Sequence, residues 1–169
     1  MTPTLQLPAV AALAVALLTI GACSSGSGTD DKDTAEPSPT AAAQSIDYEK
    51  DGGEPIRMSK AADVSKLEGA PDDFKQFIAG VIAHATEVPD EECPVEVLVK
   101  AIHPDGYASG AMVSCGGAAY MWSKRDGVWQ QIWAGQDHPS CDDMEKFTVP
   151  VEIAGDKCLD GNDVVDYEA

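Results

Sequence analysis

The chain has 169 residues and a formal net charge of -18, with 29 acidic and 11 basic side chains. This length supports one compact domain plus a tether, and it is too short for two ordinary domains. Such an acidic surface repels nucleic acid and anionic lipid headgroups within a Debye length of roughly 8–10 Å. The composition therefore argues against nucleic acid as a partner and against direct attachment of the folded part to a membrane surface.

An uncharged apolar stretch runs from Ala9 to Leu18, and Cys23 follows it shortly afterwards. The stretch is as long as the apolar core of a secretory signal and shorter than the roughly 20 residues of a membrane span. The sequence Ile20-Gly21-Ala22-Cys23 resembles the lipobox of bacterial lipoproteins. The resemblance implies a cleaved signal peptide over residues 1–22 and acyl chains, such as palmitate, on Cys23. The protein would then be anchored in the cell membrane, on its extracytoplasmic face.

Residues 23–44 are rich in Ser, Gly, Pro and charged side chains, and no apolar face repeats along them. This composition predicts a flexible tether, which would span on the order of 25 Å root-mean-square. We therefore expect a single folded domain over residues 45–169.

The first part of that domain, from Ser45 to Gly69, is weakly patterned and fits either an edge strand or a segment lying along the domain. Apolar side chains then recur at helical spacing: Phe74, Phe77, Ile78, Val81, Ile82 and Ala85. Pro71 suits the first helical position, and the two aspartates after it favour the positive end of the helix dipole. The pattern predicts an amphipathic helix over residues 71–87.

After Cys93 the apolar period changes to two, which predicts a strand over 95–102. A turn sequence at 103–106 should return the chain antiparallel over 107–115. Further turn residues predict strands over 118–124, 128–134 and 147–153, with one helical turn at 141–146. The expected fold is α+β: one amphipathic helix packed on a four- to five-stranded antiparallel β-meander, with an acidic C-terminal tail.

Four cysteines remain once Cys23 is assigned to lipid: Cys93, Cys115, Cys141 and Cys158. An even set in an exported chain predicts two disulfide bonds. A structural zinc site is the alternative, although none of the four lies in a Cys-x-x-Cys pair. Because the first hairpin brings its strand ends together, we expect the bridges 93–115 and 141–158.

The order of elements over Pro71–Ile153 resembles, in outline, the cystatin-like and nuclear-transport-factor-like cone folds. The segment Trp133–Cys141, followed by Val149-Pro150 and Cys158, is similar to small uncharacterised secreted proteins of high-GC Gram-positive bacteria. Neither resemblance implies an activity.

The second hairpin carries an aromatic cluster: Tyr120, Trp122, Trp129 and Trp133. A two-residue turn at 126–127 pairs Trp122 with Gln131 and places all four rings on one face, whereas a three-residue loop separates them. The rings then either pack between sheet and helix or form an exposed stacking platform for a sugar or a protein partner.

The loop Asp137-His138-Pro139-Ser140 makes His138 a further candidate binding residue, since loops at the end of a sheet often carry function. With an acid from Asp142 or Asp143 it could instead serve a small hydrolase or an enzyme inhibitor of the cell envelope.

The acidic tail, with Asp156, Asp160, Asn162, Asp163 and Asp166, invites comparison with a calcium site. Its spacing misses the EF-hand loop, and dense acids at a chain end favour a solvated tail. We expect no metal, no cofactor and no catalytic residue. The expected role is binding at the cell envelope, with a cell-wall polymer or an envelope protein as the partner.

Overall fold

The computed structural model describes residues 44–87 and 92–169. The signal peptide, Cys23 and all but the last residue of the tether, all expected from the sequence, lie outside these ranges. No helix within the described ranges is long and apolar enough to cross a membrane. The α+β class predicted from the sequence is confirmed, because an antiparallel sheet and several helices build the domain.

The main sheet has six strands: β1 (Ile46–Asp47), β2 (Ile56–Met58), β3 (Glu96–His103), β4 (Tyr107–Val113), β5 (Gly117–Arg125) and β6 (Val128–Gly135). Their order is β1-β3-β4-β5-β6, and β2 also pairs with β3. Strands β3 to β6 form the expected meander, with ends within two residues of the prediction. The sequence left open whether residues 45–69 contain an edge strand. The structure has two short strands there, β1 and β2, and both pair with β3. The predicted count of four or five strands is thereby corrected to six.

Helix α1 (Asp72–Ala85) covers one face of this sheet. Its apolar side is buried against the sheet, and the Phe74 ring lies 6.3 Å from the Trp122 ring and 4.7 Å from the Trp129 ring. The other buried members of this core are Met58, Leu67, Ala70, Ile78, Ile82, Val97, Val99, Ile102 and Ala108. The helical stripe read from the sequence is therefore the stripe that meets the sheet.

The opposite face is covered by a layer of four elements: α2 (Cys141–Phe147), α3 (Val151–Ala154), β7 (Lys157–Asp160) and β8 (Asp163–Asp166). The helical turn predicted at 141–146 corresponds to α2, and the other three elements were not predicted from the sequence. These elements and the sheet enclose a second core of Tyr107, Met121, Met144, Val149, Ile153, Cys158 and Tyr167. The prediction of a single helix on one side of the sheet is thus wrong, since both faces are packed.

Two predictions for this layer need correction. The predicted strand over 147–153 is wrong, because Thr148 turns the chain with a φ of 52° and Pro150 then begins the short helix α3. The tail acids are exposed, as expected of a solvated segment, but the segment is not an irregular tail, because β7 and β8 pair as a hairpin. After the hairpin, the Tyr167 side chain is buried in the second core, where its hydroxyl donates a hydrogen bond of 2.8 Å to the carbonyl of Val149.

Both predicted disulfide pairs are confirmed as neighbours, each with a Cα–Cα distance of 5.0 Å. The 93–115 pair lies at the open end of the β3–β4 hairpin, where the strand register brings the two cysteines close together. The 141–158 pair joins α2 to β7. It therefore closes the part of the chain that contains α3.

Candidate functional site

The aromatic cluster is divided between the two faces of the sheet by a β-bulge in β6. Asp126 and Gly127 have φ values of 51° and 80°, so the hairpin has the expected two-residue turn. Trp122 pairs with Gln131, also as expected. Trp133 then pairs with Met121 instead of Tyr120, because Ile132 is an extra residue in the strand. The register shift turns the Trp133 side chain to the face opposite α1.

Two of the candidate binding residues belong to the core. Trp122 is 1% exposed and Trp129 is 7% exposed. The Tyr120 ring stacks on the Trp122 ring at 6.0 Å, so it also lies on the α1 side. The platform of four exposed rings is therefore excluded, and the core interpretation holds for Trp122 and Trp129. A ligand could not reach either indole without opening the helix from the sheet.

Trp133 lines a groove of about 510 Å³ on the second face of the sheet. The floor of the groove follows one cross-strand row, in which the paired residues are Asp47, Ala101, Ser109, Met121 and Trp133. The row crosses β1, β3, β4, β5 and β6, and four strand spacings of about 4.8 Å give it a length of about 19 Å.

The groove exists because its floor carries small side chains. Ala101 and Ser109 lie in the row itself, and Ala119 lines the groove beside it. Gly135 makes room for the tryptophan, since a Cβ at this position would come within 2.7 Å of the Trp133 ring. The C-terminal layer fills the rest of this face with larger side chains, so the uncovered part remains open.

The loop after β6 and the segment of α3 both line the groove. Asp137, His138 and Pro139 come from the loop, Glu152 to Ala154 come from α3, and Gly155 follows α3. Among these, the His138 side chain is exposed. The structure therefore places Trp133 and His138 in the same groove, although the sequence suggested them as binding residues for two unrelated reasons.

The β1 side of the groove contains Asp47, Glu49 and Lys100. Lys100 is the bulged residue of β3, and its Nζ lies 3.6 Å from a carboxylate oxygen of Glu49. The Asp47 carboxylate accepts a hydrogen bond of 2.9 Å from the backbone N–H of Glu49, which holds it in place. Within the described ranges, Asp47, Asp137 and Glu152 form no ion pair, so the groove carries an excess of negative charge.

Asp143, one of the acids proposed to work with His138, caps a helix. Asp143 accepts a hydrogen bond of 2.8 Å from the Ser140 hydroxyl, and its own N–H donates to that hydroxyl at 3.1 Å. This arrangement caps α2, and Ser140 three residues before an acid is a sequence signal for such a cap. No hydrogen bond joins His138 to Asp137, Asp142 or Asp143 in residues 92–169.

The tail acids do not gather into a metal site. Across residues 44–87 and 92–169, no group of three or more His, Cys, Asp or Glu side chains is placed to hold an ion. Lys157 pairs with Asp166 across the β7–β8 hairpin, so part of this acidity serves the fold. The calcium alternative therefore has no structural support in the described ranges.

Sequence reasoning missed three residues that shape the groove: Ala119, Gly135 and Glu152. Gly135, directly after a strand of large aromatics, is a signal of close packing that could have been used. Glu152 could not have been found, because the segment around it was assigned to a strand.

No protein family, no curated sequence and no solved structure matches this chain.

Proposed function

We propose that the protein is a lipid-anchored binding protein of the cell envelope, and that the groove on the second face of the sheet is its ligand site. One observation carries this proposal: Trp133 and His138, both candidates from the sequence, line a single groove. Its volume of about 510 Å³ lies in the range of ligand sites, which is about 300–1,000 Å³. The ligand would be part of a cell-wall polymer or of an envelope protein.

The Trp133 ring is suited to contact a ligand. It is half-buried, so its position is held by the second core while part of the ring borders the groove. Trp122 and Trp129 each contact Phe74 and Phe77, whereas no aromatic ring or cation of the described residues lies against Trp133. A rigid aromatic side chain with a free surface is the usual anchor of a binding site.

The alternative, a small envelope hydrolase or inhibitor, would use Asp137 and His138 from the same groove. It would need an acid that orients the imidazole as a general base. The exposure of His138 and the capping role of Asp143 favour binding over this alternative.

The anchor is tested by replacing Cys23 with alanine. We expect this change to abolish acylation and to leave uncut precursor or a soluble form, because the acylated cysteine is the residue at which a lipoprotein signal is cleaved. Mass spectrometry of the N-terminus and membrane fractionation measure the result, and Ser24→Ala is the control that should stay anchored. An unmodified N-terminus with a free Cys23 thiol in the native protein would contradict the lipoprotein proposal.

The groove is tested by Trp133→Ala and by Ala119→Leu, which fills the floor without removing a packed side chain. We expect each to weaken retention of the detergent-purified protein on isolated cell envelope by about tenfold or more, as for loss of a central contact. Wall and membrane fractions, assayed separately, distinguish a wall polymer from an envelope protein.

The matched control is Val128→Ala on the same strand, because Val128 is 66% exposed and lies outside the groove. It should bind as the unmodified protein does. Unchanged retention of both Trp133→Ala and Ala119→Leu would overturn the groove as the ligand site.

A further inference from the structure

We infer that the groove recognises an extended peptide segment that carries positive charge. The inference rests on the proposed function, since it names the class of ligand for the same groove.

The walls of the groove contain more negative charge than their own cations balance. Among the described residues that line it, Lys100 is the only lysine or arginine, and its Nζ lies 3.6 Å from a carboxylate oxygen of Glu49. The carboxylates of Asp47, Asp137 and Glu152 have no ion-pair partner within the described ranges. Carboxylates that line a concave site focus a negative potential into it, which attracts a cationic ligand and repels an anionic one.

The charges lie at both ends of the floor. Asp47 lies at the β1 end of the cross-strand row, and α3, which carries Glu152, packs on β3 and β4 near that end. Asp137 lies at the other end, two residues after β6 and close in sequence to Trp133. A ligand that meets both ends must therefore carry more than one positive charge along its length.

The aromatic ring and the length of the floor fit the same ligand. The Trp133 ring can accept a lysine or arginine side chain against its face through a cation–π contact. An extended peptide of five residues spans about 17 Å, which matches the floor of about 19 Å. The small side chains of Ala101, Ser109 and Ala119 leave room for its backbone.

The probe for this inference is the amidated peptide pentalysine, and its matched control is the same peptide with every lysine acetylated. We expect titration of the detergent-purified protein with pentalysine to change tryptophan fluorescence through Trp133, and the acetylated peptide to bind at least about tenfold more weakly. Binding should also weaken as salt rises, because the attraction is electrostatic.

The decisive comparison uses two double variants with the same net charge. Asp137→Asn with Glu152→Gln removes two groove carboxylates, whereas Glu87→Gln with Glu168→Gln removes two exposed carboxylates outside the groove. We expect the first double variant to bind pentalysine about tenfold more weakly and the second to change binding by less than about twofold. Thermal midpoints of both should match the unmodified protein.

Three results would overturn the inference: no binding of pentalysine, equal weakening in the two double variants, or equal binding of the acetylated peptide. The retention results of the variants distinguish failure of this inference from failure of the proposed function. If Trp133→Ala loses retention on cell envelope while the groove double variant keeps it, the groove binds a ligand whose charge is not positive. If Trp133→Ala and Ala119→Leu both keep full retention, the groove itself is not the site.

Discussion

Replacing Trp122 with alanine is expected to lower the free energy of unfolding by about 3–5 kcal/mol, as is usual for a fully buried tryptophan. The indole is 1% exposed and contacts the rings of Phe74, Phe77 and Tyr120. It also lies over Gly110, where a Cβ would come within 2.9 Å of the ring. Since a domain is stabilised by only about 5–15 kcal/mol, the cavity left by the substitution would remove a large part of the total. Urea unfolding measures the change.

The control for this prediction is Val128→Ala on the neighbouring strand. An exposed substitution should stay within about ±0.5 kcal/mol. If Trp122→Ala cost less than about 1 kcal/mol, the indole would not be the centre of the packing between helix α1 and the sheet.

Removing the 141–158 disulfide by replacing both cysteines with alanine is expected to cost about 2–5 kcal/mol and also to weaken binding in the groove. The bridge closes a loop of 17 residues, and Cys158 is buried in the second core. Helix α3, which forms part of the groove wall, lies inside that loop. Unfolding and retention on cell envelope, measured on the same variant, report the two effects.

The matched control is removal of the 93–115 disulfide, whose loop of 22 residues is similar in length. Its loss should cost a comparable free energy of unfolding and leave retention on cell envelope unchanged, because it lies at the end of the first hairpin. Equal retention in both variants would show that packing alone holds α3 in place. Peptide mapping that linked Cys93 to Cys141 or Cys158 would contradict both pairings.

The meander could be predicted because its turns are encoded locally. Gly106 and the pair Asp126-Gly127 adopt the positive φ values that their residue types allow, and the alternation of side chains fixes the strands between them. That register predicted the 93–115 disulfide, and the 141–158 disulfide followed because only those two cysteines remained. Strands β1 and β2 could not be assigned, because two or three residues at a sheet edge carry too short a pattern.

In the C-terminal layer, α2 was predicted but α3 was mistaken for a strand, because short apolar runs do not distinguish a strand from a helix. The segment 147–153 contains four apolar residues around Pro150, and both interpretations fit that composition. The acidic residues after it suggested solvent, although Tyr167 and Cys158 among them are buried.

Individual residues of the candidate site could be predicted from the sequence, but their arrangement around one groove could not. Trp133 and His138 could be selected from the sequence, one for its ring and the other for its loop. Their meeting depends on the bulge at Ile132, which no special residue type marks, and the groove that they line is completed by α3, which was not predicted. The groove is therefore a property of the tertiary structure.

The bulge at Ile132 also divides strand β6 between the two faces of the sheet. Before it, Trp129 lies in the core under α1, so a substitution of Trp129 should act through folding. After it, Trp133 lines the groove and Gly135 makes room for its ring, so substitutions at these two positions should change the groove. The shape of the groove can therefore change without repacking the helix side, and the gain or loss of a single codon in β6 would decide which face of the sheet Trp133 occupies.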